Sequence, residues 1–375
     1  MKFKLLRLAI AFLGGVSFST IAEAFTIYPD GLPHLEWKEI ASAHQLPAHP
    51  VSLASSSDTG DFVAVISNEE GSEGGIYFLD RLHQHEGWQK KETFQGAHPT
   101  RVAFGLHHFY VFGNDAQTDG SIVMTSADNG ATWSRYEMVG AMGHYSHAAF
   151  SETVGVATGR EGAVVMTGDG VTWTQVLAPS GFKKTVYYGV IPSSDLAPVH
   201  YGFALLDASQ KTTHGFLQMK DYLTFTPFYS QDGLEWTSSE TPCDLTTFPL
   251  SQVVLYGNKA FVANANGYKV APFAGLLTLK ASDFVPISSE NIPRMNVSAE
   301  VTSGGYFVAV GAMSQGEPRI AQTISVWSPP DRAIFIADVI PCDANNTMVA
   351  IAANTYEVLA LACDGTSYSA SLLVP

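Results

Sequence analysis

Short apolar stretches recur along this chain, and almost none carries a helical period. Phe62-Val63-Ala64-Val65, Tyr110-Val111-Phe112-Gly113, Phe261-Val262-Ala263, Phe307-Val308-Ala309-Val310 and Met348-Val349-Ala350-Ile351 repeat one pattern, read as the second strand of a unit. Val102-Ala103-Phe104-Gly105 returns as Val186-Tyr187-Tyr188-Gly189 and as Val254-Leu255-Tyr256-Gly257. β-Branched and aromatic residues fill these runs, and clusters of Gly, Asp, Asn and Ser bound them, as in strands joined by tight turns. The spacing leaves little room for 3.6-residue periodicity. An all-β chain is predicted.

A turn motif punctuates the strands. Residues 126–133 read Ser-Ala-Asp-Asn-Gly-Ala-Thr-Trp, residues 167–173 Thr-Gly-Asp-Gly-Val-Thr-Trp, residues 230–236 Ser-Gln-Asp-Gly-Leu-Glu-Trp, and residues 363–368 Cys-Asp-Gly-Thr-Ser-Tyr. The hydroxyl and the carboxylate accept hydrogen bonds from turn amides. Gly permits positive φ where the chain reverses. The aromatic residue is expected to be largely buried over its own hairpin, locking the register.

The first copy resembles the Asp-box, or bacterial neuraminidase repeat, Ser-x-Asp-x-Gly-x-Thr-Trp, with Asp128, Gly130 and Trp133 matching in full. The copies at Asp169 with Trp173 and at Asp232 with Trp236 lack one residue between Asp and Gly, and the copy at Asp364 has Tyr368 in place of Trp. The resemblance implies a β-propeller of the sialidase-like superfamily, with the boxes structural and the ligand on the opposite, loop face.

Weaker repeats complete about seven units, near 48–94, 97–139, 143–178, 182–243, 248–290, 295–332 and 333–375, with six as the alternative count. Four short strands per unit is the composition of a propeller blade. The stretch Leu35-Glu36-Trp37-Lys38-Glu39-Ile40 is an orphan strand, expected to close the ring by pairing with the last blade.

The amino terminus changes the compartment. Lys2, Lys4 and Arg7 precede an apolar run from Leu8 to Phe18, and Ala22-Glu23-Ala24 follows. This is the layout of a secretory signal peptide, residues 1–24, leaving 25–375 as a single propeller domain that is periplasmic or secreted. The apolar run is shorter than a membrane span, and no later stretch is long enough to be one. Three cysteines are too few for a disulfide scaffold; Cys342 and Cys363 are the expected pair, with Cys243 free.

With 20 Lys+Arg against 35 Asp+Glu, the net charge of −15 argues against nucleic acid as partner. Candidate ligand residues follow from the loop face: His49, His98 and His144 at one repeat position, with Arg101, Arg160 and Arg319 nearby. Imidazoles with carboxylates could hold a divalent metal; equally, a His before an inner strand can cap a turn. The Arg-Ile-Pro signature common in sialidases is absent, the nearest string being Ile292-Pro293-Arg294, and no residue matches the nucleophile. There is no G-x-S-x-G, P-loop or H-E-x-x-H. The expectation is an exported binding scaffold for a protein or glycan ligand, without a cofactor. The competing expectation is a glycoside hydrolase, which would place two carboxylates about 5–10 Å apart in a pocket.

Overall fold

A computed structural model describes residues 37–40, 44–67, 73–115, 120–137, 145, 147–150, 153–158, 164–176, 348–354, 356–362 and 364–371, and, between 202 and 339, the backbone of the strands named below. Those residues form seven antiparallel sheets.

Sheet 1 holds β2 (Pro50–Ser55), β3 (Phe62–Ser67), β4 (Glu73–Leu79) and β5 (Gln89–Gln95). Sheet 2 holds β6 (Ala97–Gly105), β7 (His108–Asp115), β8 (Ser121–Ser126) and β9 (Ser134–Glu137). Sheet 3 holds β10 (His147–Phe150), β11 (Gly155–Thr158), β12 (Val164–Thr167) and β13 (Thr174–Val176). Sheet 4 holds β14 (Gly202–Leu206), β15 (His214–Asp221), β16 (Thr224–Ser230) and β17 (Thr237–Ser238), with β18 (Cys243–Asp244) also on β16. Sheet 5 holds β19 (Gln252–Tyr256), β20 (Lys259–Asn264), β21 (Gly267–Pro272) and β22 (Val285–Pro286). Sheet 6 holds β23 (Ser298–Val301), β24 (Tyr306–Gly311), β25 (Ile320–Ser325) and β26 (Phe335–Val339). Sheet 7 holds β27 (Met348–Ala353), β28 (Glu357–Ala362) and β29 (Ser367–Ser371), and its fourth strand is β1 (Trp37–Glu39) from the other end of the chain. Trp37 pairs with Ala370 and Glu39 with Tyr368.

Three sequence expectations change. The seventh unit does not begin near 333: Phe335–Val339 pairs with β25 and completes sheet 6. Because β1 supplies a strand to sheet 7, the carboxy-terminal segment needs to contribute only three. Met348–Ile351 is accordingly a first strand, not a second one. The Asp364 turn joins the second and third strands of its sheet, whereas the Asp128 and Asp169 turns join the third and fourth. In an up-and-down sheet those links lie at opposite ends, so the Asp364 turn is not equivalent in position to the other two.

The second strands β3 and β7 are apolar on both faces, because sheets 1 and 2 each lie between two others. Phe62, Ala64 and Ile66 pack with Leu359, Leu361, Ala350 and Ala352 of sheet 7. The alternate residues Val63 and Val65 pack with Val102, Phe109 and Val111 of sheet 2. One sheet later, in β7, the alternate residues Tyr110 and Phe112 turn to Ala157 and Val165 of sheet 3. Period-2 alternation therefore separates two cores, and each large side chain so buried contributes roughly 1.5–3 kcal/mol.

The first strands contact one another in chain order, β2 with β6, β6 with β10, β10 with β14, β14 with β19, β19 with β23 and β23 with β27, and β27 also contacts β2. Bulges fall at their entries, between Pro50 and Ser52, Pro99 and Arg101, and Met348 and Ala350.

Candidate functional site

The turns at Asp128 and Asp169 share one hydrogen-bond scheme. Ser126 donates to the Asp128 carboxylate at 2.8 Å and accepts from the Gly130 amide at 2.7 Å; the Thr132 amide and hydroxyl donate to Asp128 at 2.8 and 2.6 Å. Thr167 likewise donates to Asp169 and accepts from Gly170, both at 3.0 Å, while the amides of Val171 and Thr172 donate to Asp169 at 2.8 and 2.7 Å. Amide donation from Thr172 and Val171, against a small desolvation cost, depresses the Asp169 carboxyl to about 2. At Asp128 burial pushes upward, but the Thr132 and Ser126 donors outweigh it and the carboxyl lies below the usual range.

The tryptophans do more than cover their own hairpins. Trp173 of sheet 3 meets Tyr110 and Phe112 of sheet 2 edge-on, with ring centroids 5.5 and 5.3 Å apart. Trp133 of sheet 2 packs on the core it shares with sheet 1. Trp88, at the same place in sheet 1, packs on sheet 7 and donates through Nε1 to Ser367 at 2.9 Å. Each ring thus wedges against the preceding sheet. Trp133 and Trp173 are half-buried, less than expected, because the turn that carries them is at the surface; Trp88 is buried. The glycines of these two turns make the same contact. A Cβ on Gly130 (φ +90°) would lie 3.0 Å from Phe78, and one on Gly170 (φ +75°) 2.7 Å from the Tyr110 hydroxyl. Asp232 and Trp236 lie outside the described residues; the link that carries them joins β16 to β17, again third strand to fourth.

At the opposite end the ladders match two of the histidines. With bulges after Pro50 and Pro99, His49 and His98 fall at one repeat position, and Ser52 and Arg101 at another. His49 is exposed, at φ 67°, and its carbonyl accepts from the Ser67 amide at 3.4 Å. His98 is half-buried, and its carbonyl sits 2.7 Å from where Gly113 would carry a Cβ, so the backbones touch. Arg101 is half-buried in β6. The bulged residue Val51 is exposed, while Thr100 reaches across to donate to the Tyr145 carbonyl at 2.6 Å. His144, Arg160 and Arg319 lie outside the described residues, as do Cys342 and Cys363; Cys243 stands opposite Phe225 in β18. Among the described residues, no group of three or more His, Cys, Asp and Glu is placed to hold a metal ion.

Sequence reasoning missed a polar hub in the β2–β3 turn of sheet 1. Asp61 accepts from the Arg81 amide at 2.9 Å, from the Thr59 hydroxyl at 2.6 Å and from the Asn129 amide of sheet 2. Asn354 of sheet 7 donates to the Gly60 carbonyl at 2.6 Å, and His107 of sheet 2 pairs with Asp58 at 2.7 Å. The string Ser56-Ser57-Asp58-Thr59-Gly60-Asp61 marks a turn, but its partners are distant in sequence and leave no local pattern.

No family model matches the chain, and no curated protein matches it. Solved structures are similar in fold. A catalytically inactive variant of virginiamycin B lyase from Staphylococcus aureus, solved with quinupristin, aligns with a TM-score of 0.60 at 10% identity, covering 91% of this chain and 100% of the lyase. The selenomethionine-substituted lyase aligns at 0.57, also at 10% identity, with 91% and 100% covered. Raptor from Chaetomium thermophilum aligns at 0.54 and 8% identity, over 90% of this chain and 28% of its own. At such identities the likeness is one of fold alone. The chain is an all-β protein of antiparallel four-stranded sheets with a propeller-like fold.

Proposed function

We propose that this chain is an exported Asp-box β-propeller of seven blades, closed by β1, that binds a protein or glycan ligand on the face where the first strands begin. Contacts between successive first strands, together with that between β27 and β2, support a closed ring. The pairing of β1 with β29 supports closure by the chain's two ends. The hydrogen bonding of Ser126, Asp128 and Gly130, repeated at Thr167, Asp169 and Gly170, supports the Asp-box reading.

One observation carries the choice of face. At the Asp-box end, Asp61, Asn129, Asn354, Trp88 and Trp173 are committed to joining neighbouring sheets. At the other end, matched positions on successive sheets present His49, exposed, and His98, half-buried, beside an exposed Val51. A rim of equivalent positions suits an extended ligand met by several blades at once, and loops on a rigid scaffold commonly carry binding.

The mature protein should bind a defined ligand when screened against glycan and peptide arrays. A His98→Ala, His144→Ala double variant should lose that binding while keeping its melting temperature. A fall in melting temperature with binding retained would assign the histidines to turn capping instead. Release of sugar from a bound glycan would replace the scaffold reading by glycoside hydrolysis.

A further inference from the structure

We propose that Asn129 is a deamidation site gated by the fold, and that its conversion loosens the seam between sheets 1 and 2. Asn129 is followed by Gly130, the neighbour least obstructive to ring closure, because it has no side chain to screen its amide. In the reaction the Gly130 backbone nitrogen attacks Asn129 Cγ and forms a C–N bond. Ammonia leaves, carrying away the side-chain nitrogen. Water then opens the succinimide, giving aspartate or isoaspartate. A neutral amide becomes a carboxylate, and no oxidant or reductant is needed.

The folded turn withholds every reactant. Gly130 N–H is held by the Ser126 hydroxyl at 2.7 Å. Asn129 is fixed at φ 56°, and its Nδ2 donates to Thr59 at 2.9 Å and to the Asp61 carboxylate across the sheet boundary. Gly130 itself is buried against Phe78 and Val63 of sheet 1. Cyclisation therefore waits until the seam opens. Once it has occurred, a donor facing Asp61 has been replaced by a second carboxylate. Asp61 is buried and already accepts from Thr59 and Arg81, so the new charge repels at short range. Isoaspartate would add a backbone atom to a turn whose hydrogen bonds depend on its length. The seam then recloses more weakly than before: a brief opening leaves a permanent chemical mark.

The full mature chain, incubated in mildly alkaline buffer with and without urea, tests this by peptide mapping and enzymatic isoaspartate labelling of the 126–137 segment. Asn129 in the folded protein should react roughly tenfold or more slowly than in urea, since only the open fraction is reactive. Ser126→Ala should speed the reaction in native buffer by freeing the Gly130 amide. Asn129→Asp should lower the melting temperature, and adding Asp61→Asn should restore it by reversing the donor and acceptor. Equal rates in the presence and absence of urea would overturn the gating. An unchanged melting temperature in Asn129→Asp, or no recovery in the double variant, would overturn the seam role. If Asn129→Asp does not fold, the double variant and the rate comparison still decide.

Discussion

Gly170 shows how one residue serves two ends at once. Its φ of +75° belongs to the left-handed region, and its missing Cβ leaves room for the Tyr110 hydroxyl of the neighbouring sheet. Gly170→Ala should therefore cost more than the ~1–2 kcal/mol of the backbone conformation alone, because Tyr110 must also move. Urea denaturation measures the difference, and a cost below ~1 kcal/mol would mean that the turn relaxes freely. Asp169 gives a pH signature. Its carboxyl is depressed in the folded chain to about 2, below its unfolded value. Stability from that group is fully present above the ordinary carboxylate range and is lost as pH falls through it toward about 2. Asp169→Asn should flatten that part of the acid limb in a plot of melting temperature against pH. An unchanged acid limb would show that the turn amides prefer water.

Among the elements, β1 is the one whose partner lies farthest away in sequence. Trp37 is buried and Lys38 and Glu39 are exposed, so one apolar residue secures a three-residue strand. Trp37→Ala should destabilise the protein by roughly 3–5 kcal/mol and expose the β29 edge, seen as a lower melting temperature with a greater tendency to aggregate. A silent substitution would show that β1 contributes little. The sequence made this strand visible because an alternating segment stood apart from every repeat. It also marked the first, second, third and fifth units to within a few residues, since the paired apolar patterns of β3, β7, β20 and their first strands are set by local alternation. Sheet 4 has its first described strand only at Gly202, well after the expected start near 182, and the expected first strand at residues 186–189 lies outside the described residues. The sixth boundary was not legible: β26 resembles the start of a unit, and only its register on β25 assigns it. The Asp364 turn misled for the same reason. Asp-Gly fits any tight reversal, and the end of the sheet on which it lies depends on which strands pair. The wedge role of Trp173 was hidden because its partners Tyr110 and Phe112 belong to another unit.

Across the whole molecule, the sheets are individually small and depend on their neighbours. Among the described residues, cores lie between sheets 7 and 1, 1 and 2, and 2 and 3, and each of these takes residues from both sides. Losing one seam should therefore be felt by the next, and circular dichroism and tryptophan fluorescence should report a single coincident thermal transition. Two separated transitions would mean that the sheets melt in groups. The union of β1 with β29 has a mechanical consequence. Trp37 lies opposite Ala370, so the chain enters and leaves this pair of strands at the same end. Tension applied between the chain's two ends would load the ladder one rung at a time, as a zipper is opened, instead of spreading across all rungs in shear. The first rupture in a pulling experiment should come at low force and release β1 alone, with the hairpins behind it still folded. A molecule secured in this way resists heat through its seams and yields readily to a pull on its ends.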